Sequence, residues 1–223
     1  MALACYAPCD KYGAPSFLNE EISTGTSIMA CVYRGGVIVG ADSRTSSGAY
    51  ISNRVSDKLT KITDNIYCCR SGSAADTQAV ADIVAYHLAF QKAETGEEPN
   101  VATAAAVFQE LCYTHREQLT AGIIVAGYDK IKGGQVYSIP LGGMCVERKC
   151  ATGGSGSTYV YGYVDSNYRD DMTEEEVKKF VVNTIALAMH RDGSSGGVIR
   201  IALIDGNGPV RTEIFAADRI PQF

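Results

Sequence analysis

Apolar and polar positions recur along this chain with two periods, two and about 3.6, and the switches between them mark its elements. Residues 27–33 are apolar and partly β-branched, Gly35-Gly36 interrupts, and Val37-Ile38-Val39 resumes, which predicts a strand, a tight turn and a second strand. Residues 43–58 are polar and read as a long loop with a short strand near Tyr50 and Ile51. Residues 59–62 and 66–70 form a predicted hairpin around Asp64-Asn65. A helix follows: Ser73 and Asp76 make a capping pair with Asp in place of Glu, and Val80, Ile83, Val84, His87 and Leu88 mark one apolar face. A second helix starts near Asn100, with Phe108, Leu111, Cys112, His115 and Leu119 on one side. Strands return at 122–128, 135–139 and about 144–152, with Gly-rich turns between them. A short helix near 158–167 precedes a long one opened by the capping box Thr173-x-x-Glu176, with Val177, Phe180, Val181, Ile185 and Ala188 keeping the helical period to about Arg191. Strands at 198–205 and 210–216 turn at Gly206-Asn207-Gly208. Strands joined by short glycine turns are antiparallel neighbours, so the order predicts an α+β fold with helices layered on sheets. Residues 1–25 hold no sustained period and read as an extension.

Composition narrows the class. At 223 residues, one large domain or two small ones are expected, and the 46% hydrophobic content excludes a largely disordered chain. Lys and Arg total 20 against 25 Asp and Glu, a net charge of −5. That balance argues against nucleic acid or an anionic membrane as the main partner, since both recruit a basic face. No apolar run reaches the roughly 20 residues of a membrane span, and the first 25 residues lack the layout of a secretory signal. The eight cysteines contain no C-x-x-C pair, and the single near histidine, His115 three residues after Cys112, has no second ligand pair beside it, so they read as reduced structural thiols rather than a metal or disulfide framework. Cys68 and Cys69 are consecutive in a predicted strand and should face opposite sides. The expected setting is cytoplasm and nucleus, with no metal and no cofactor.

Four features invite chemistry. Gly193-Ser194-Ser195-Gly196-Gly197 matches G-x-S-x-G, but a nucleophile elbow needs a strand before the serine and a helix after it, and here the order is reversed. A glycine-rich helix exit explains it. Gly153-Gly154-Ser155-Gly156-Ser157 lacks the G-K-[ST] ending of a phosphate loop and reads as a strand-to-helix turn. The three histidines, His87, His115 and His190, read as packing or helix-end residues, which leaves no histidine base. Ser23-Thr24-Gly25-Thr26-Ser27 is different. A threonine hydroxyl needs an adjacent base to become a nucleophile. Cleavage of the Gly25–Thr26 bond would give Thr26 an α-amine of pKa about 7.7–8, so one residue would carry nucleophile and base together. Residues 1–25 would then be an inhibitory propeptide and residues 26–223 a single domain.

Thr24-Gly25-Thr26-Ser27-Ile28, Gly40-Ala41-Asp42-Ser43-Arg44, Asp57-Lys58-Leu59 and Arg70-Ser71-Gly72-Ser73-Ala74-Ala75-Asp76 follow one another in the order of a proteasome β-type subunit, which this chain closely resembles from about residue 23 to 223. The two glycine-rich segments around Ser155 and Ser195 complete the series. The resemblance implies an N-terminal-nucleophile hydrolase fold, a four-layer αββα sandwich of two antiparallel sheets flanked by helices. It implies Thr26 as nucleophile, Asp42 and Lys58 as an ion pair beside it, and the Gly72 amide as oxyanion donor. Ser155, Asp192 and Ser195 would orient the amine and its water. Arg70 would floor the specificity pocket and pair with an acidic side chain, as in the caspase-like type of subunit, with Thr45, Ser56, Thr60 and Ala74 lining the pocket and Ser46 holding the substrate backbone. Partners would be other α and β subunits in heteroheptameric stacked rings, and substrates unfolded polypeptides in ubiquitin-dependent and general degradation. The competing expectation is a non-catalytic structural member of the same ring.

Overall fold

The computed structural model describes residues 25–223, so the expected propeptide, but for Gly25, lies outside the described residues. Twelve strands are described. One sheet has the order β10-β1-β2-β11-β12, built from β1 (Ile28–Tyr33), β2 (Gly36–Ala41), β10 (Cys150–Gly153), β11 (Ile199–Asp205) and β12 (Arg211–Phe215). The other has the order β5-β6-β7-β8-β9, built from β5 (Leu59–Thr63), β6 (Ile66–Gly72), β7 (Ala121–Asp129), β8 (Gly133–Ile139) and β9 (Val146–Arg148). The pair β3 (Thr45–Ser47) and β4 (Tyr50–Asn53) stands apart. Every described pairing is antiparallel.

Period-two alternation sorts the strand side chains into layers. From β1 and β2, Met29, Cys31, Tyr33 and Ile38 join the core under the helices α3 (Tyr161–Asn167) and α4 (Glu174–Arg191). Their neighbours Ile28, Ala30, Val37, Val39 and Ala41 face the other sheet. The second sheet buries Ile66, Cys68, Ile123 and Val125 against α1 (Ala74–Thr95) and α2 (Val101–Thr114). Phe108 of α2 is fully enclosed there, and truncating such a side chain costs about 3–5 kcal/mol. The result is the αββα sandwich implied by the resemblance. Cys68 and Cys69 fall in different cores, as consecutive strand residues must, and burial pushes both thiols up, that of Cys68 to about 12. Among the described residues no helix is long and apolar enough to cross a membrane, and no cluster of three metal-type ligands occurs.

The helix starts follow the capping residues. Ser73 accepts from the Asp76 amide, Asn100 from the Thr103 amide, and Thr173 and Glu176 form a reciprocal box. Three expectations are corrected. Ile83 and His87 are exposed: the buried stripe of α1 is Thr77, Val80, Ala81, Val84 and Leu88, which already fills one helical face. His115 caps the end of α2 in solvent. The strand expected over 144–152 is two strands in different sheets, because the exposed run Glu147-Arg148-Lys149 carries the chain around the sandwich edge and changes its pairing partner.

Candidate active site

The ladder of β1 and β2 continues one step past its last pair. The Ser27 amide donates to Asp42 Oδ1 at 2.9 Å, and the Asp42 amide donates to the Ser27 carbonyl at 3.0 Å. The pairing therefore fixes the Asp42 carboxylate beside the start of β1. That carboxylate is fully buried and accepts three backbone N–H groups, from Ser27, Arg44 and Gly196, plus the Lys58 ammonium at 2.7 Å. A buried carboxylate needs such a set of donors to remain charged.

Lys58 enters from just before β5. Its Nζ donates to Asp42 Oδ1, to Thr26 Oγ1 at 3.1 Å and to the Gly25 carbonyl at 3.1 Å, so all three N–H bonds are used. Burial pulls its pKa below the usual lysine value, while the Asp42 charge opposes the fall. Thr26 Oγ1 donates to the Gly25 carbonyl oxygen at 2.7 Å. The hydroxyl thus lies against the peptide bond that precedes it, and the ammonium touches both partners.

A second arrangement of groups holds the nitrogen of Thr26. Its N–H donates to Ser155 Oγ at 3.1 Å, and Ser155 Oγ donates to Asp192 Oδ2 at 2.7 Å. Ser27 Oγ donates to Ser195 Oγ at 2.8 Å, which donates to the same Asp192 oxygen at 2.6 Å. Burial alone would raise the Asp192 carboxyl, but these hydroxyls, the Ser194 amide and the Lys58 charge together hold it below the ordinary carboxylate range. Ser155 stands in the turn after β10, and Asp192 and Ser195 in the exit from α4. At Gly154 φ is +81°, and a Cβ there would stand 2.1 Å from the Thr26 carbonyl oxygen, so glycine is what lets this turn approach.

Beside Thr26 lies a cleft of about 90 Å³ lined by Arg44, Thr45, Ser56, Lys58, Arg70, Gly72, Ala74 and Thr77. Gly72 ends β6 at φ +101° and also borders a larger cleft of about 390 Å³ that includes Ser155 and Leu141. Only the smaller cleft is lined by Thr26 itself. Arg70 is half-buried in it. Nε donates to Thr60 Oγ1 at 2.7 Å, Nη1 to Thr77 Oγ1 at 3.3 Å and Nη2 to the Asp57 carbonyl at 3.3 Å. All three acceptors are neutral, and no carboxylate among the described residues is in ion-pair range. One N–H on each Nη is left over, the pair of donors that a carboxylate accepts side by side.

The structure brings Thr26, Asp42, Lys58, Ser155, Asp192 and Ser195 into one hydrogen-bonded cluster and sets Gly72, Arg70, Thr45, Ser56 and Ala74 around the adjoining cleft. Thr60 stands behind the guanidinium instead of lining the cleft, and Ser46 is buried on β3 outside the lining. Sequence reading missed Thr77, which is 1% exposed, lines the cleft and supports Arg70. The available signal was a polar residue in phase with the buried stripe of α1.

The family model for proteasome subunits matches residues 22–204, a span that contains every member of this cluster. This chain belongs to the proteasome subunit family. It is 57% identical over 210 residues to "Proteasome subunit beta type-6" of Dictyostelium discoideum, covering 94% of this chain and 98% of that protein. It is 55% identical over 202 residues to "Proteasome subunit beta type-1" of Saccharomyces cerevisiae, covering 91% and 93%. With "Proteasome subunit beta type-9" of Rattus norvegicus the identity is 50% over 214 residues, covering 95% and 97%. The proteasome relatives thus bear β-type names and align over nearly their whole length. Within this β-type frame the two arrangements around Thr26, one on its oxygen and one on its nitrogen, come from segments far apart in the chain.

Proposed function

We propose that this β-type proteasome subunit is a threonine endopeptidase that cleaves after acidic residues and is made as a precursor activated by cleavage between Gly25 and Thr26. The observation that carries the reading is Lys58 Nζ bridging Asp42, Thr26 Oγ1 and the Gly25 carbonyl. In the precursor, Thr26 Oγ1 adds to the Gly25 carbonyl carbon while the ammonium stabilises the charge growing on the oxygen. The proton lost from Oγ1 is returned to the Thr26 nitrogen, which leaves as the amine as the C–N bond breaks, so the acyl group passes from nitrogen to oxygen. Water hydrolyses the resulting ester, releasing residues 1–25 and freeing both the hydroxyl and the α-amine of Thr26.

In the mature enzyme the amine, held by Ser155 with Asp192 and Ser195 behind it, takes the hydroxyl proton as Oγ1 attacks the substrate carbonyl. The ordinary pKa of an α-amine, about 7.7–8, suits that exchange near neutral pH. Gly72 supplies the oxyanion donor from its backbone. The ammonium form of Thr26 protonates the leaving amine, and water then cleaves the acyl-enzyme. Arg70 selects Asp or Glu on the acyl side by pairing with its carboxylate, within walls formed by Thr45, Ser56 and Ala74, with Thr60 bracing the guanidinium and Ser46 in β3 holding the substrate backbone. The subunit works within stacked seven-membered rings of α and β subunits, on unfolded polypeptides, in cytoplasm and nucleus.

The test is Thr26→Ala in the assembled particle, assayed with peptides ending in Asp or Glu. Loss of that cleavage with assembly retained is the expected outcome. Full retention would make the chain a structural ring member.

A further inference from the structure

We propose that Cys31 and Cys150 form a dithiol site which a small-molecule disulfide such as glutathione disulfide oxidises to a reversible cross-strand bridge, pinning β10 to β1. The two residues stand directly opposite each other in the antiparallel pairing of β1 with β10. The neighbouring Val32 amide donates to the Lys149 carbonyl at 2.7 Å, so Cys31 and Cys150 occupy a non-hydrogen-bonded position of the ladder. At such positions the Cα atoms approach to about 4.5 Å, within the range of about 4.4–6.8 Å that a disulfide spans. Both side chains point to the same face, and their sulfurs are in contact at 2.7 Å. Bridging therefore needs side-chain rotation and no backbone shift.

The other described cysteines have no such partner. Cys68 and Cys69 face Thr60 and Leu59 across the ladder, and Cys112 and Cys145 have no paired thiol. The two thiols of the pair differ in access: Cys31 is fully buried and Cys150 is partly exposed. Cys150 is thus the entry sulfur. Its thiolate attacks one sulfur of glutathione disulfide and expels one glutathione thiolate, which takes up a proton. Cys31, as thiolate, then attacks Cys150 Sγ and expels the second glutathione. The two cysteines are oxidised, one glutathione disulfide is reduced to two thiols, and the two cysteine protons end on those thiols. Burial pushes the Cys31 thiol up, so the closing step is the slow one.

The bridge has a structural consequence near the nucleophile. β10 is an edge strand of four residues, and it runs directly into the turn where Ser155 accepts from the Thr26 nitrogen and the Gly156 amide donates to the Thr26 carbonyl. Edge strands open first, and a cross-link to β1 holds this one closed.

The experiment treats the assembled particle containing the full chain with glutathione disulfide, blocks remaining thiols with N-ethylmaleimide, and maps peptides by mass. The expected product joins Cys31 to Cys150, disappears in Cys31→Ser and in Cys150→Ser, and is reversed by dithiothreitol. Amide exchange across Cys150–Gly153 should slow about tenfold in the oxidised form. A glutathione adduct that persists on Cys150 with Cys31 still alkylated, a bridge to any other cysteine, or unchanged exchange in β10 would overturn the proposal.

Discussion

Of the cations that line the cleft beside Thr26, Lys58 and Arg70 are treated oppositely. Lys58 is buried and faces the buried carboxylate of Asp42, whose remaining acceptor capacity is taken by three backbone amides. Arg70, twelve residues further along the same hairpin region, is supported only by two hydroxyls and a carbonyl. The first charge is complete within the protein. The second is held in place and left for a ligand. A charge that is internally paired serves the chemistry of the nucleophile, whereas a charge with neutral neighbours discriminates among substrates, because only an anion completes it.

The largest break in this comparison is Lys58→Ala. It leaves the Asp42 carboxylate buried without its cation and removes the donor to both Thr26 Oγ1 and the Gly25 carbonyl. Unpairing a buried charge destabilises the fold by about 3–5 kcal/mol, and losing the donor to the developing oxyanion should lower processing and turnover by roughly 10²–10³-fold. The mass of the chain and the rate on acidic peptides measure the two losses; a variant that still processes at the normal rate would remove Lys58 from the account. Arg70→Ala should be selective. Losing two charge-assisted hydrogen bonds, about 3 kcal/mol together, lowers kcat/KM after Glu or Asp by roughly 10²-fold. Processing should stay nearly unchanged, since Gly25 has no side chain to place on Arg70. Equal loss of both activities would make Arg70 a fold residue. The smallest effect belongs to Thr77→Val, which keeps the shape and removes one acceptor from the guanidinium. A rise in KM for acidic peptides of about fivefold, with kcat little changed, is expected from about 1 kcal/mol. No change in KM would show that Thr60 and the Asp57 carbonyl orient Arg70 without it.

The same contrast separates what sequence reading reaches from what it does not. Strands β1, β2, β5, β6, β11 and β12 and the caps Ser73, Asn100 and Thr173 were legible because alternation and capping are local. The exposure of His87 was not, since a helical face has several candidate apolar stripes and only packing against β5, β6 and α2 selects one. The division of residues 144–152 between two sheets depends on a partner change that leaves only a polar run as its trace. At the site, residue types and order were legible through the family resemblance. The contacts were not: Asp42 reaches Gly196, and Thr26 reaches Ser155, across separations of more than a hundred residues that only the sandwich closes. Thr77 escaped notice because its role rests on one side-chain contact between α1 and the end of β6.

The most direct test of the central claim is the intact mass of this chain isolated from assembled particles in cells. The expected chain begins at Thr26 with a free α-amine. A chain that still carries Gly25 in particles active after acidic residues would contradict it.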